Sequence, residues 1–256
     1  MMKSIKKFCY LSGIVLVLST PVVSAEGDSP HEFSANVAIT TDYRFRGISQ
    51  TNEDPAIQGG MDYSYTPAGF YAGVWASNLD FAEPTGKGGV NDTATMELDF
   101  YGGFSGEINS IGWDIGGLYY YYPGSDPGAF ANDYDYFEVY GKLSHDFGMF
   151  SVTGGLNYSP DYFAESGDGV YLYGDVGVPL PVGGLNLAGH VGHQWIDKNS
   201  TFGTPDYTDW KIGVSKDISK FTFDVSYVDT DMSNSDCFGG SDWCDATAIF
   251  TVSAGF

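Results

Sequence analysis

Apolar and polar residues alternate along most of this chain. The final segment, residues 245–256, places Ala, Phe or Val at every second position and ends on Phe256. An earlier segment, residues 33–46, keeps the same alternation for fourteen residues. A period of two is typical of a β-strand between two different environments, and fourteen residues can cross a bilayer at a tilt. Taken alone, residues 245–256 fit a strand of a soluble β-sandwich better, and the remaining chain reverses that preference.

The alternation predicts twelve strands, which is an even number. The twelve predicted strands are residues 33–46, 56–66, 70–81, 94–106, 111–122, 136–147, 150–159, 169–178, 185–195, 207–216, 221–229 and 245–256. Short links alternate with long ones, so all long loops lie at one end and both termini at the other, as in bacterial outer-membrane barrels. We therefore predict an all-β fold, a transmembrane antiparallel β-barrel of about twelve strands with short periplasmic turns and long extracellular loops.

The first 25 residues have the composition of a cleaved export signal. Lys3, Lys6 and Lys7 precede an apolar run at residues 10–18, and small residues follow at residues 23–25. The run is too short to span a membrane, which disfavours a retained anchor. The predicted domains are a signal peptide at residues 1–25 and an outer-membrane barrel at residues 26–256.

Composition and charge narrow the class further. The predicted signal holds three of the 11 basic residues and no acid, so the rest of the chain sets 33 acids against eight bases. This excludes a general nucleic-acid binder, which needs a basic face. The chain has 35 Gly, 19 Tyr and 18 Phe, and its aromatic residues are sorted toward both ends of the predicted strands. Two aromatic belts indicate two membrane interfaces.

Three segments of the chain resemble a known family. The segments NVAITTDYRFRGISQT at residues 36–51, GFYAGVWASN at residues 69–78 and ELDFYGGF at residues 97–104 closely resemble the TorF-like porin family of exported proteobacterial proteins. The resemblance runs over the chain beyond the predicted signal. It implies an outer-membrane location and a porin role, and we carry over no functional residues from it.

The charged residues of the strands lie opposite the predicted lipid face and are expected to line the lumen. These thirteen residues are Asp42, Arg44, Arg46, Asp62, Glu97, Asp99, Asp114, Glu138, Lys142, Asp175, Asp209, Lys211 and Asp224. Nine acids and four bases either pair into a network that closes the bore or leave a negative potential that concentrates cations. We predict a channel for cations or small polar solutes, and the alternative is a closed structural or adhesive barrel.

The predicted long loops contain many acids, few bases and the last two cysteines. Cys237 and Cys244 fall in the same loop, and an exported chain is expected to join them as a disulfide. No loop has the spaced acids of an EF-hand, so no metal site and no cofactor are predicted. Expected partners are outer-membrane lipid and lipopolysaccharide, the barrel-assembly machinery through the strand ending in Phe256, and small solutes or cations. The oligomeric state stays open.

Catalysis is the competing class, since some outer-membrane barrels are hydrolases. A hydrolase needs a Ser beside a His, and same-face neighbours on a strand lie two residues apart. The residues two after His31, His145, His190 and His193 are Phe, Phe, Gly and Trp. We therefore predict that the protein is not an enzyme, with an outer-membrane hydrolase as the less favoured alternative.

Overall fold

A computed structural model describes residues 29–81, 94–125 and 133–256 of the chain. The predicted signal peptide, the whole predicted loop at residues 82–93 and part of the next predicted long loop lie outside these ranges. The strands are β1 (His31–Thr40), β2 (Arg44–Phe45), β3 (Ile48–Ser49), β4 (Ala56–Tyr65), β5 (Phe70–Asn78), β6 (Met96–Ile108), β7 (Ile111–Tyr121), β8 (Tyr136–Asp146), β9 (Ser151–Ser159), β10 (Gly169–Pro179), β11 (Leu185–Ile196), β12 (Tyr207–Ile218), β13 (Phe221–Thr230) and β14 (Thr247–Gly255). No helix in these ranges is long and apolar enough to span a membrane.

Twelve of the strands form one closed antiparallel barrel, which confirms the predicted fold and strand number. Its order is β1, β14 and then each preceding strand back to β4, while β2 and β3 form a separate hairpin. Strands that follow one another along the chain pair directly, because short turns return each strand beside its predecessor. The transmembrane strands therefore leave no free sheet edge, as a barrel in lipid requires.

The barrel closes where the first strand meets the last. Five residue pairs join β1 to β14, from Asn36 with Gly255 to Thr40 with Thr251. Reciprocal backbone hydrogen bonds between Ala35 and Phe256 extend the ladder at 3.0 and 2.8 Å. Every other pair of neighbouring barrel strands has at least eight paired residues. The seam between β1 and β14 is therefore the shortest ladder in the wall.

The two faces of the wall have opposite composition. On β13, Val225 is 57% exposed on the outer face, while its neighbour Asp224 lies on the inner face, where its carboxylate accepts a hydrogen bond from Ser226. The outer face of the other strands carries exposed large apolar side chains in the same phase. Exposed aromatic residues mark both rims, with Phe147 and Phe256 at the short-turn end and Trp195 near the long-loop end. An apolar band between aromatic rims suits lipid.

The prediction of a first strand over residues 33–46 is wrong at its C-terminal end, because the observed strand is shorter there. Strand β1 stops at Thr40, and the chain then turns inward to form the β2–β3 hairpin. Arg46 and Gly47 occupy the left-handed region, with φ of 47° and 83°, as a two-residue hairpin turn requires. The alternation past Thr40 therefore does not reflect a wall strand, since both residues of β3 are buried. Asp42, Arg44 and Arg46 therefore lie in a segment inside the barrel and not in its wall.

Replacing Val225 by Lys tests which face meets lipid. Val225 lies in the middle of β13, so Val225→Lys should lower the free energy of unfolding by roughly 2–4 kcal/mol. The neighbouring change Asp224→Lys places the same ammonium on the polar inner face and should cost less. Urea unfolding of both variants in lipid vesicles measures the difference. A greater loss of stability for Asp224→Lys would reverse the assignment of the two faces.

Candidate functional site

The long-loop end of the barrel interior holds residues 41–55, which we call the inner segment. Tyr43 and Thr51 of this segment are buried, and the Tyr43 ring packs edge-on against Trp75 of β5 at 5.4 Å between ring centroids. The Tyr43 amide donates to the Thr51 hydroxyl at 3.1 Å, and the Gln50 amide donates to the Tyr43 carbonyl at 2.7 Å. These internal bonds hold the segment as a compact loop inside the wall.

Arg46 crosses the interior and joins the inner segment to the opposite wall. Its guanidinium donates two hydrogen bonds to Glu138 of β8, both at 2.8 Å, and one to Gln194 of β11 at 2.7 Å. Asn157 donates to the same Glu138 carboxylate at 2.8 Å, and the Arg46 guanidinium stacks on the Tyr171 ring at 4.3 Å. Because Nη2 binds both Glu138 oxygens and Nη1 binds Gln194, the buried guanidinium is fixed in both position and orientation. We call this network the Arg46 latch.

Arg44 fastens the other side of the inner segment to the last loop. Its guanidinium lies 2.5 Å from the Asp42 carboxylate and 2.9 Å from that of Glu53, and it donates to the carbonyls of Trp243 and Asp245. Partial burial raises the pKa of the Glu53 carboxyl, and the positive charge of Arg44 acts in the opposite direction. The network ties residues 41–55 to the loop that precedes β14.

That last loop contains the predicted disulfide, which the structure confirms. Cys237 and Cys244 are bonded and buried, with 6.0 Å between their Cα atoms. The Trp243 indole donates to the Asn52 side chain at 2.8 Å and lies near Phe81 and Phe238. The disulfide therefore stabilises a loop that packs on the inner segment from the long-loop side.

Deeper in the barrel, two further clusters pair acids with bases. Lys142 of β8 lies 2.9 Å from Asp114 of β7. His190 of β11 lies between two carboxylates, 2.7 Å from Asp175 and 3.3 Å from Asp209. Because the partners come from neighbouring strands, the inward phase of the wall brings them together.

Four interior acids form no ion pair among the residues that the structure describes. The Asp62 carboxylate accepts from the Tyr101 hydroxyl at 2.5 Å, and Glu97 accepts from the Tyr43 hydroxyl at 2.7 Å. Neither carboxylate oxygen of Asp99 has a hydrogen-bond partner. The fourth acid, bonded only to a serine hydroxyl, is Asp224. The interior therefore contains more acid groups than the described ion pairs use.

The structure places the predicted lumen residues as follows. Ten of them lie on barrel strands in the inward phase, namely Asp62, Glu97, Asp99, Asp114, Glu138, Lys142, Asp175, Asp209, Lys211 and Asp224. The other three belong to the inner segment and are Asp42, Arg44 and Arg46. Lys211 is half-buried opposite His190 on the neighbouring strand. Their role in selecting ions stays a prediction.

Uncharged interior residues were missing from the prediction, although the same phase could have found them. Gln194 and Asn157 complete the Arg46 latch, and several tyrosines lie flat on the inner wall over glycines of the next strand. A Cβ added at Gly192 would lie 2.0 Å from the Tyr171 hydroxyl, which in turn donates to Asp209 at 2.8 Å. Glycine at this position therefore lets the ring lie along the wall, so that its hydroxyl reaches the carboxylate.

Known proteins resemble this chain at the level of its family and of its fold. The chain belongs to a bacterial protein family of unknown function, Gcw_chp. The model of that family matches residues 24–256. No curated protein matches the chain significantly. Membership of the TorF-like porin family therefore stays a prediction.

Among solved structures, the chain is similar to porins. The NanC porin superposes with a TM-score of 0.51 at 9% identity, over 88% of this chain and 99% of that one. The outer-membrane protein opdK from Pseudomonas aeruginosa gives a TM-score of 0.41 at 13% identity, over 79% of this chain and 58% of that one. The first similarity shows a porin-like barrel fold.

Removing one partner of the Arg46 latch should destabilise the barrel. Arg46→Met leaves the buried Glu138 with only the uncharged partners Asn157 and Tyr120 among the described residues, and should cost about 3–5 kcal/mol of unfolding free energy. Adding Glu138→Gln should recover part of that loss, because the uncompensated charge is gone. Urea unfolding of the single and double variants measures the coupling.

A matched change at an exposed pair serves as control. The Glu53 side chain is 41% exposed in its pair with Arg44, so Glu53→Gln should cost at most about 1 kcal/mol. If the losses from Arg46→Met and Glu138→Gln simply add in the double variant, the two residues do not act as one latch.

Proposed function

We propose that this protein is an outer-membrane channel that passes cations and small polar solutes. The observation that carries the proposal is the unequal pairing of charge in the interior. Arg44, Arg46 and Lys142 are each held by a carboxylate. A separate group of acids has only hydroxyl partners or none. Unpaired acids in a low-dielectric bore attract cations and repel anions.

The unpaired acids are concentrated on one side of the barrel. Asp62 lies on β4, and Glu97 and Asp99 lie on β6, with only β5 between the two strands. The Tyr101 hydroxyl links this group by binding Asp62, two residues along β6 from Asp99. A cation that moves along this wall would pass the field of these carboxylates at successive depths, although the side chains of Glu97 and Asp99 are almost fully buried. The opposite wall, from β7 to β12, holds the paired clusters.

The proposed location rests on the export signal and on the outer surface. Residues 1–25 have the composition of a signal peptide, and the exposed apolar band suits lipid. The proposed orientation places the short turns in the periplasm and the long loops outside. Outer-membrane lipid and lipopolysaccharide would then contact the wall, and the barrel-assembly machinery would bind the strand that ends in Phe256. Neither partner implies catalysis, and we propose no enzymatic activity.

A closed structural or adhesive barrel is the second candidate. The observation that favours it is the filling of the long-loop end by the inner segment and by aromatic rings. Arg46 is 5% exposed there, and the rings of Phe81, Phe163 and Trp243 pack nearby. In the channel proposal, the same segment is a constriction that limits passage to small solutes.

Selectivity in a planar bilayer tests the channel proposal. Single-channel recording in a salt gradient should show discrete steps and a cation-selective reversal potential. The combined changes Asp62→Asn, Glu97→Gln and Asp99→Asn should move that potential toward zero, because they remove the unpaired charge of the bore. The matched control removes three exposed loop acids by Asp161→Asn, Glu165→Gln and Asp242→Asn.

The loop changes should leave the reversal potential nearly fixed. Charges in open water are screened beyond about 10 Å at 0.1 M salt, whereas charges in a narrow bore are not. Absence of conductance in every preparation would support the closed barrel. An anion-selective pore, or one whose selectivity follows only the loop acids, would contradict the role of the interior carboxylates.

Conductance of the Arg46→Met variant tests whether the inner segment is the constriction. Without the latch the segment loses its bond to the far wall, so the variant should show larger or longer openings than the unmodified protein. Lys142→Met breaks the pair with Asp114, which lies outside the inner segment, and serves as control. Equal changes in both variants would mean that general loosening of the barrel, and not release of the segment, alters the current.

A further inference from the structure

Glu97 and Asp99 form a buried carboxylate pair on the inner face of β6. Each side chain is 1% exposed. Residues two apart on a strand point to the same side and lie roughly 6–7 Å apart along it. The two carboxyl groups therefore face the same part of the interior. They occupy the outer half of the strand, next to the inner segment.

Asp99 of this pair has less compensation than any other buried acid among the described residues. Glu138 is held by Arg46, and Asp62 accepts a hydrogen bond from Tyr101. Glu97 accepts from Tyr43 and from Tyr122, but Asp99 has no hydrogen-bond partner for either oxygen within the described ranges. Burying a carboxylate without a partner costs several kcal/mol. Asp99 therefore needs a proton or a cation beside it, and the described side chains supply no cation there.

The surroundings of the pair favour a hard cation. Tyr43 offers a hydroxyl oxygen beside Glu97, and Trp75 faces Asp99 in register on the neighbouring strand. Carboxylate and hydroxyl oxygens are ligands for hard cations, whereas the described residues bring no sulfur or imidazole to this point. One divalent ion would balance both negative charges, which a single shared proton would not.

The long-loop side of the pair carries an acidic cavity. A cavity of about 460 Å³ lies at the outer end of β6, lined in part by Thr51, Asp54 and Thr95. Thr95 directly precedes β6 and is two residues from Glu97. Acidic residues at a cavity mouth raise the local concentration of cations. The cavity would therefore gather cations within two residues of Glu97, although neither carboxylate of the pair lines it.

We infer that Glu97 and Asp99 bind a divalent cation of the Ca²⁺ class inside the barrel. No group of three or more His, Cys, Asp or Glu suited to a metal occurs in the described ranges, so these two carboxylates supply the charged ligands. Few charged ligands give weak binding, with a Kd of about 10⁻⁴–10⁻³ M. Because Tyr43 bonds to Glu97, the ion also stabilises the inner segment. The site binds whether or not the barrel conducts.

Terbium luminescence tests the site on the full barrel in detergent. Tb³⁺ replaces Ca²⁺ at oxygen sites and emits when a nearby aromatic ring transfers energy to it. Tryptophan-selective excitation should give emission that Ca²⁺ competes away. The double variant Glu97→Gln/Asp99→Asn should weaken Tb³⁺ binding at least about ten-fold, equivalent to the loss of 1.4 kcal/mol or more. The matched control Asp62→Asn should bind like the unmodified protein.

A second variant keeps the test informative if the double variant does not fold. Trp75→Phe leaves both carboxylates but removes the expected energy donor, so it should lower the emission without changing the concentration of Ca²⁺ that raises thermal stability. Absence of emission from the unmodified protein would overturn the inference. Emission that survives Glu97→Gln/Asp99→Asn, or that is lost in Asp62→Asn, would do the same. None of these results depends on conductance.

Discussion

The whole molecule depends on one constraint, which is that backbone groups facing lipid must bond to each other. Water cannot satisfy an N–H or C=O group inside a bilayer, so a sheet that crosses it must close. Here β1 and β14 complete the ring of twelve strands. Closure also creates the interior, since it separates an apolar outer surface from a space lined by polar side chains. The charged side chains inside the barrel interact strongly because the wall encloses this space.

The interior is filled mainly from the loops. Strands of the wall supply carboxylates such as Glu138, but the cation that satisfies Glu138 comes from the inner segment. Arg46 holds a left-handed backbone conformation, which is uncommon for a side chain of its size, and the latch compensates for that cost. The loop and the wall are therefore complementary parts. The barrel presents unsatisfied acids, and the segment carries the base that fits one of them.

The sequence predicted the fold and the inward face because both follow from local periodicity. A period of two assigns Asp99 inward and Phe100 outward without knowledge of any partner. Cys237 and Cys244 were predictable for a similar reason, since only seven positions separate them. Contacts between residues far apart in the chain were not predictable in this way. Arg46 and Glu138 are 92 positions apart, and no local pattern indicates which of the interior acids would receive the base.

The short seam between β1 and β14 has a mechanical consequence. Load on a sheet is shared among its interstrand hydrogen bonds, and this ladder has five paired residues where every other has at least eight. Stretching the wall sideways would therefore part the barrel along this line before any other. The inner segment leaves the wall directly after β1, so such a tear would begin beside the filling of the interior. The terminal strand, bearing Phe256, would become a loose flap while the remaining strands stayed joined as a curved sheet.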